Sequence, residues 1–230
     1  MKLTKVFWLI AMLGLCGCAD LQDAMPGMSY SDRTLLEGIQ ACATYSMDKA
    51  VSDLDEERLG DQFWDSNTAE FKDFELILIK LKKEAELKKL KLLLNQSTAQ
   101  LLKMESKSFN DQITSLSVSE DPEELMEGSS RAITDYYMGN LKVQGHVGDS
   151  ILKIMQENGA QTMFLELTSL YNNIPYQENP IEFVLHSRLS SFLLSEISDR
   201  MAFHEKELRT NPLLRQSKVL QKTFSDYDNE

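Results

Sequence analysis

Three histidines and three cysteines are the side chains of this sequence best suited to binding a metal or acting as a nucleophile. His146, His186 and His204 are far apart, and neither an HExxH nor a CxxC spacing occurs after residue 18. His204 is adjacent to Glu205, and adjacent side chains on a helix point about 100° apart, so the two make a poor ligand pair. The sequence therefore predicts no metal site.

Motifs for nucleotide binding and for serine hydrolysis are missing as well. The sequence has no GxxxxGK or GxGxxG loop for phosphates, and no serine has the GxSxG context of a hydrolase nucleophile. No acidic cluster has the DxDxDG arrangement of a calcium loop. Cys42 has small and apolar helical neighbours, which favours a buried structural thiol over a thiol–histidine pair. We therefore predict neither catalytic residues nor a cofactor.

The most unusual local composition is a segment rich in lysine. Between residues 80 and 91 the chain carries six lysines and two glutamates, although the whole chain has a net charge of −12. One interpretation is a solvated helix face whose lysines pair with Glu84 and Glu86 three or four residues away. The other is a surface that faces anionic lipid headgroups or an acidic partner. The residues of this lysine strip are Lys80, Lys82, Lys83, Lys88, Lys89 and Lys91.

The first eighteen residues have the features of an export signal with a lipidation site. Lys2 and Lys5 precede ten uncharged residues, 6–15, about half of what a helix needs to cross a membrane. Residues 15–18 have the sequence Leu-Cys-Gly-Cys, which resembles the lipobox of bacterial lipoproteins, and this resemblance implies that Cys18 is lipidated. Cys16 is the weaker candidate because the bulky Leu15 precedes it. An ordinary secretory peptide is the alternative.

The lipobox resemblance, together with the helical pattern of the later residues, divides the chain into four parts. They are a cleaved signal peptide (1–17), the lipidated cysteine with a tether (18–31), a helical domain (32–225) and an acidic tail (226–230). Two acyl chains on one cysteine anchor a protein lastingly, and the tether reaches at most about 40 Å beyond them. Ala19, rather than Asp, follows Cys18, which favours the outer membrane. We therefore expect a periplasm-facing lipoprotein anchored in the membrane through Cys18, with an envelope protein or anionic lipid as a further partner.

The composition is that of an ordinary globular protein with an excess of acidic residues. Hydrophobic residues make up 42% and charged residues 26% of the 230 residues, and the mean hydropathy is −0.32. These values argue against collagen-like, disordered and multi-span membrane proteins. The net charge of −12 argues against a nucleic-acid partner, because binding to phosphates needs a basic surface.

Apolar residues recur at steps of three and four along the chain after residue 32, and no segment alternates as a strand does. This pattern predicts an all-α fold, a single bundle-like domain of many helices. Gly60, Asn67 and scattered charges interrupt the periodicity over residues 55–69, which predicts a loop held to the core by Phe63 and Trp64. The predicted helices cover residues 32–54, 71–94, 97–116, 122–128, 129–138, 147–156, 160–171, 180–208 and 213–224, of which 180–208 is the longest.

Several short motifs resemble, in their order and spacing, an uncharacterised family of exported Gram-negative proteins catalogued as domain of unknown function 4197. The resemblance implies an all-α exported protein of unknown activity and supplies no catalytic residue. The motifs lie at residues 36–54, 125–137, 147–159, 171–175 and 204–224. The motif at residues 204–224, the tail motif, is the most specific of them. Four of its residues, Glu205, Arg209, Asn211 and Pro212, form either a functional patch or merely a helix end with its cap.

The sequence is compatible with two functions from different classes. The first is a non-enzymatic binding or structural module of the cell envelope. The second is a helical enzyme, or a carrier of a small molecule or lipid, with a site between helices, where bundles commonly hold ligands. A pocket with several converging polar groups would favour the second function, and a solid apolar core would favour the first.

Overall fold

Helices form most of the described chain. The computed structural model of the protein describes residues 30–141, 143–175 and 179–228. Within these ranges the chain forms ten α-helices, one short 3₁₀ turn and no strand, which confirms the predicted all-α fold. The predicted signal peptide, Cys18 and the tether up to residue 29 lie outside the described residues, as do the last two residues of the predicted tail.

The helices differ greatly in length, from six residues to 32. Their bounds are α1 Tyr30–Ser52, α2 Leu59–Ser66, α3 Thr68–Lys80, α4 Glu84–Ser115, α5 Pro122–Glu127, α6 Ala132–Asn140, α7 Val143–Asn158, α8 Ala160–Asn172, α9 Leu185–Thr210 and α10 Lys218–Ser225, with the 3₁₀ turn at Pro212–Leu214. The longest helix is therefore α4, and the prediction that residues 180–208 form the longest one is wrong.

The centre of the packing is the contact between α1 and α9. The longer helices bury apolar residues at steps of three and four, as the sequence pattern predicts. Helix α4 packs against α1 and α7, while α10 folds back onto α1. The buried apolar side chains form one continuous core, and on the two central helices they are Ile39, Cys42, Ala43, Met47 and Ala50 of α1 and Leu185, Leu189, Leu193, Ile197, Met201 and Leu208 of α9.

Residues 55–69, predicted as a loop, contain the two-turn helix α2, so that prediction is wrong. Phe63 and Trp64 are buried as predicted, but they belong to the inner face of this helix together with Leu59. Gly60 lets α2 approach α4 closely, since a Cβ there would lie 2.5 Å from the backbone nitrogen of Asn95. The sequence missed α2 because a glycine in a short segment resembles a loop signal, whereas here it is a packing requirement.

The predicted helix 71–94 is divided in two, and its second half continues without a break to residue 115. The division occurs at Leu81–Lys83, where Lys82 has a φ of 61°. The backbone nitrogen of Lys83 donates to the oxygen of Leu78 at 2.8 Å, and that of Lys82 donates to Ile79 at 3.0 Å. These two bonds form a Schellman motif, which ends α3 with a left-handed residue that is usually glycine.

Helix α9 begins five residues later than the predicted start at residue 180. The side chain of Asn172 accepts the N–H of Ile181 at 2.9 Å and donates to its carbonyl oxygen at 2.9 Å. Both backbone groups of Ile181 are thus engaged by a side chain from α8, which replaces the bonds that a helix would make there.

Several predicted helix ends are confirmed by their caps. The Asp121 side chain accepts the N–H of Glu123 at 3.0 Å, and α5 ends before Gly128. Gly159 adopts a φ of 85° between α7 and α8. Asn211 accepts the N–H of Leu213 at 3.1 Å, but the residues that follow form a 3₁₀ turn, and α10 begins only at Lys218. Local capping signals therefore locate these helix boundaries correctly, with the exception of the start of α10.

Candidate functional site

The lysine strip lies at the connection between α3 and α4. Three residues join the two helices, and an ion pair between Glu75 and Lys91 links them further along, so the two form an antiparallel hairpin. We use the name α3–α4 tip for residues 76–92, which comprise the end of α3, the connection and the start of α4. All six predicted lysines lie in it.

Half of the lysine strip is engaged in ion pairs. Lys83 Nζ lies 2.6 Å from Glu86 Oε1, and Lys88 Nζ lies 2.7 Å from Glu84 Oε1. These hydrogen bonds lower the pKa of both glutamates, so the carboxylates stay ionised. Lys91 pairs with Glu75 and also lies 4.9 Å from the centre of the Trp64 ring. These contacts confirm the predicted pairing of the strip with Glu84 and Glu86.

The other half of the strip has no carboxylate partner among the described residues. Lys80, Lys82 and Lys89 are exposed, and none of them forms an ion pair with the part of the chain that the structure describes. Lys80 and Lys82 flank the end of α3, and Lys89 lies in the second turn of α4. The tip therefore carries an uncompensated positive charge in a chain whose net charge is −12.

Apolar side chains are exposed on the same tip, which the sequence did not predict. Four of the ten large apolar side chains that are exposed in the described chain lie there: Leu76 at 49%, Ile79 at 48%, Leu81 at 45% and Leu92 at 56%. Helix α3 buries the opposite face with Phe74 and Leu78, and α4 buries Leu87 and Leu90. The spacing of Leu81 from Phe74 and Leu78 would place it on the same buried face, but only if the helix continued past residue 81.

The left-handed conformation of Lys82 makes a stability prediction possible. Replacing Lys82 by glycine is expected to raise the free energy of unfolding by about 1 kcal/mol, because glycine has no Cβ to clash in this region. Urea unfolding followed by circular dichroism measures the change. Lys82→Ala removes the same charge and keeps the Cβ, so it should give no comparable gain. An equal gain in both variants would attribute the effect to charge rather than to backbone conformation.

The tail residues singled out by the family resemblance do not form an open surface patch. Glu205 is fully buried, and its carboxylate accepts the N–H groups of Ile133 at 3.1 Å and Thr134 at 2.7 Å, at the start of α6. Arg209, one turn away, donates to the same carboxylate at 2.8 and 3.0 Å. Glu205 thus caps the N-terminal end of α6 and neutralises Arg209 at the same time.

Two arginines extend this network to the neighbouring helix ends. Arg209 donates to the carbonyl oxygens of Leu125 at 2.9 Å and Met126 at 2.5 Å, close to the C-terminal end of α5. Arg215, which is 2% exposed, donates to the oxygens of Leu208 at 2.7 Å and Arg209 at 2.8 Å. Glu205, Arg209 and Arg215 therefore form a structural junction that ties α9 to α5, α6 and the C-terminal segment, while Pro212 is exposed at its edge. Asn211 caps the 3₁₀ turn that begins at Pro212.

Cys42 is fully buried on α1, which confirms the predicted structural thiol. Burial raises the pKa of Cys42 far above its ordinary value, and the negative charge of Glu205 raises it further. A thiol with a raised pKa carries almost no thiolate near neutral pH, so Cys42 is a poor nucleophile.

The sequence did not indicate a polar cluster that lies between α4 and α7. Glu105 is buried, and it accepts a hydrogen bond from the Ser150 hydroxyl at 2.9 Å. His146 Nδ1 lies 3.3 Å from the same hydroxyl, and its Nε2 lies 3.6 Å from Glu105. The four-residue spacing of His146 and Ser150 was visible in the sequence, but Glu105 is 45 residues from Ser150, and only the packing of α4 on α7 brings it there.

This cluster has the residue types of a catalytic triad without its geometry. In a triad the histidine lies between the serine and the carboxylate, whereas here the Ser150 hydroxyl donates directly to Glu105. Ser150 also lies inside α7, where the backbone N–H groups bond within the helix and leave no donors for an oxyanion. The cluster therefore joins two helices rather than performing acyl transfer.

The remaining histidines do not converge on a site either. His204 Nε2 lies 2.8 Å from Asp53 Oδ2 and so connects α9 to the end of α1. His186 lies in the first turn of α9. Across the described ranges, no three His, Cys, Asp or Glu side chains are placed to hold a metal ion. A shallow, open groove lies on the outer face of α8, lined by Thr162, Leu165, Glu166, Ser169 and Leu170.

No helix among the described residues is both long and apolar enough to cross a membrane.

The family model described as Protein of unknown function (DUF4197) matches residues 29–225, and the chain belongs to this family. No curated protein and no solved structure matches the chain.

Proposed function

We propose that this member of the DUF4197 family is a lipoprotein of the bacterial cell envelope, anchored through Cys18, that acts as a non-enzymatic binding or structural module. The anchor is supported by the charged start, the ten-residue uncharged stretch and the Leu-Cys-Gly-Cys sequence at residues 15–18. The helical domain then faces the periplasm, and Ala19 after the lipidated cysteine favours the outer membrane.

The proposal that the protein is not an enzyme rests on the packing of the described interior. Its core is continuous and apolar, and its two buried carboxylates, Glu205 and Glu105, are each hydrogen-bonded to a neighbouring helix. Ligand sites between helices need a cavity with converging polar groups, and the groove on α8 lies on the outer surface instead. The surfaces that are left for binding are therefore on the outside of the domain.

Replacing Cys18 by serine tests the anchor. The full-length chain is expressed in bacteria that receive an alkyne-tagged fatty acid, and the label on the protein is measured after gel separation. We expect the wild-type chain to be labelled and Cys18→Ser to lose the label completely, because serine lacks the thiol that forms the thioether. The variant should then appear as an uncleaved precursor or leave the membrane fraction.

Two matched variants complete this experiment. Cys16→Ser and Cys42→Ala each remove another cysteine and should keep the label. Label that persists on Cys18→Ser, or that disappears only in Cys16→Ser, would contradict the assignment of Cys18.

A further inference from the structure

We propose that the α3–α4 tip is the face of the domain that contacts the membrane, with its unpaired lysines on anionic phospholipid headgroups and its exposed apolar side chains inserted between them. This inference rests on the proposed anchor, which keeps the domain close to the membrane surface. Beyond the anchor, the inference identifies the surface of the domain that contacts the bilayer and the class of lipid that this surface prefers.

The charge of the tip favours an anionic surface. Lys83, Lys88 and Lys91 are paired with glutamates, so the three unpaired lysines provide the net charge. A lysine near an anionic bilayer strengthens attachment by about fivefold, so three of them shift the balance between docked and undocked domain by about 100-fold. The remaining chain is acidic and is repelled by the same surface, which orients the domain with its tip towards the lipid.

The apolar side chains of the tip favour a bilayer over a purely electrostatic contact. Leu76 and Ile79 lie three residues apart on the outer face of α3, next to Lys80, and Leu92 lies three residues after Lys89 on the outer face of α4. Leu81 is exposed between Lys80 and Lys82. Basic residues interleaved with exposed leucines are the pattern of surfaces that lie at the headgroup boundary.

The proposal is tested with the full lipidated chain reconstituted into vesicles of phosphatidylcholine alone or mixed with phosphatidylglycerol. A fluorophore is attached to Leu81→Cys in a Cys42→Ala background, and its quenching by brominated acyl chains is measured. A matched probe is placed at Leu213→Cys, where the native side chain is 91% exposed. We expect quenching at position 81 in anionic vesicles at low salt, weaker quenching in neutral vesicles or at physiological salt, and none at position 213.

A charge-matched control distinguishes an effect of the lysines in the tip from an effect of the net charge of the protein. Changing Lys80, Lys82 and Lys89 to glutamine should reduce the docked-to-undocked ratio by about 100-fold, and the quenching should fall to the level of neutral vesicles. The same change at Lys103, Lys107 and Lys153 alters the net charge equally, at exposed positions outside the tip, and should leave quenching unchanged. Circular dichroism of each variant checks that the fold is retained.

Several results would overturn the proposal while leaving the anchor intact. They are an anchored protein whose probe at position 81 is not quenched in anionic vesicles, equal quenching in both lipids, or quenching at position 213 instead. A tip that crosslinks to a second copy and is shielded from lipid would show that its partner is this chain. If mass spectrometry finds no lipid on Cys18, the proposed anchor fails. The tip is then tested by whether the unanchored chain sediments with anionic but not with neutral vesicles.

Discussion

Replacing Glu205 by alanine is expected to lower the free energy of unfolding by about 3 to 5 kcal/mol, the range observed when one partner of a buried ion pair is removed. The change leaves the Arg209 guanidinium without its carboxylate and the N–H groups of Ile133 and Thr134 without an acceptor. All three donors lie in or beside the core, where water cannot replace the lost bonds cheaply. Urea unfolding followed by circular dichroism measures the loss.

Two comparisons make this result specific to the buried network. Glu205→Gln keeps the shape and one acceptor oxygen, so its loss should be smaller than that of the alanine variant. Glu166→Ala removes an exposed carboxylate from α8 and should change stability by no more than about 0.5 kcal/mol. A loss below about 1 kcal/mol for Glu205→Ala would contradict the role of this carboxylate as the cap of α6 and the partner of Arg209.

Replacing Gly60 by alanine should lower the free energy of unfolding by about 1 to 3 kcal/mol, the usual effect of overpacking a core. The added Cβ would lie 2.5 Å from the backbone nitrogen and 2.8 Å from the side-chain oxygen of Asn95, and 2.8 Å from the carbonyl carbon of Leu94. Backbone atoms of α4 cannot rotate away, so α2 must move outward. That movement also weakens the bond from the N–H of Asp61 to Asn95 Oδ1, which is 3.0 Å long.

The same substitution at Gly139 serves as the matched control. Gly139 lies in α6, and an added Cβ there meets no atom within 4 Å. Alanine is the better helix former by up to about 1 kcal/mol, so Gly139→Ala should leave stability unchanged or raise it. The midpoint temperature of thermal unfolding should therefore fall for Gly60→Ala and stay the same or rise for Gly139→Ala. A loss at Gly139 equal to that at Gly60 would refute the close approach of α2 to α4 as the cause.

Much of the fold could be predicted from the sequence because the signals involved are local. The apolar periodicity of α1 lies within a single helix, and so does the burial of Cys42 on it. The caps at Asp121 and Gly159 depend on residues one to three positions away. Signals of this kind need no knowledge of distant parts of the chain.

The candidate site was predictable only in part. The six lysines and their pairing with Glu84 and Glu86 follow from composition and helical spacing. The exposure of Leu81 does not, because it depends on the break at Lys82, where α3 ends in a left-handed turn that lacks the usual glycine. A periodic pattern that continues across such a break predicts the wrong face for the residues beside it.

The sequence by itself therefore determines the all-α class, the position of most helices and the basic character of residues 80–91, since each follows from composition and short-range spacing. Only the tertiary structure decided that Gly60 belongs to a helix, because the reason for that glycine is the backbone of α4, 34 residues further on. It also decided the role of Glu205, which the sequence left open between a functional patch and a helix end. That carboxylate is buried because α6 and α9 meet there, and its partners Ile133 and Thr134 are 72 and 71 residues away in the chain.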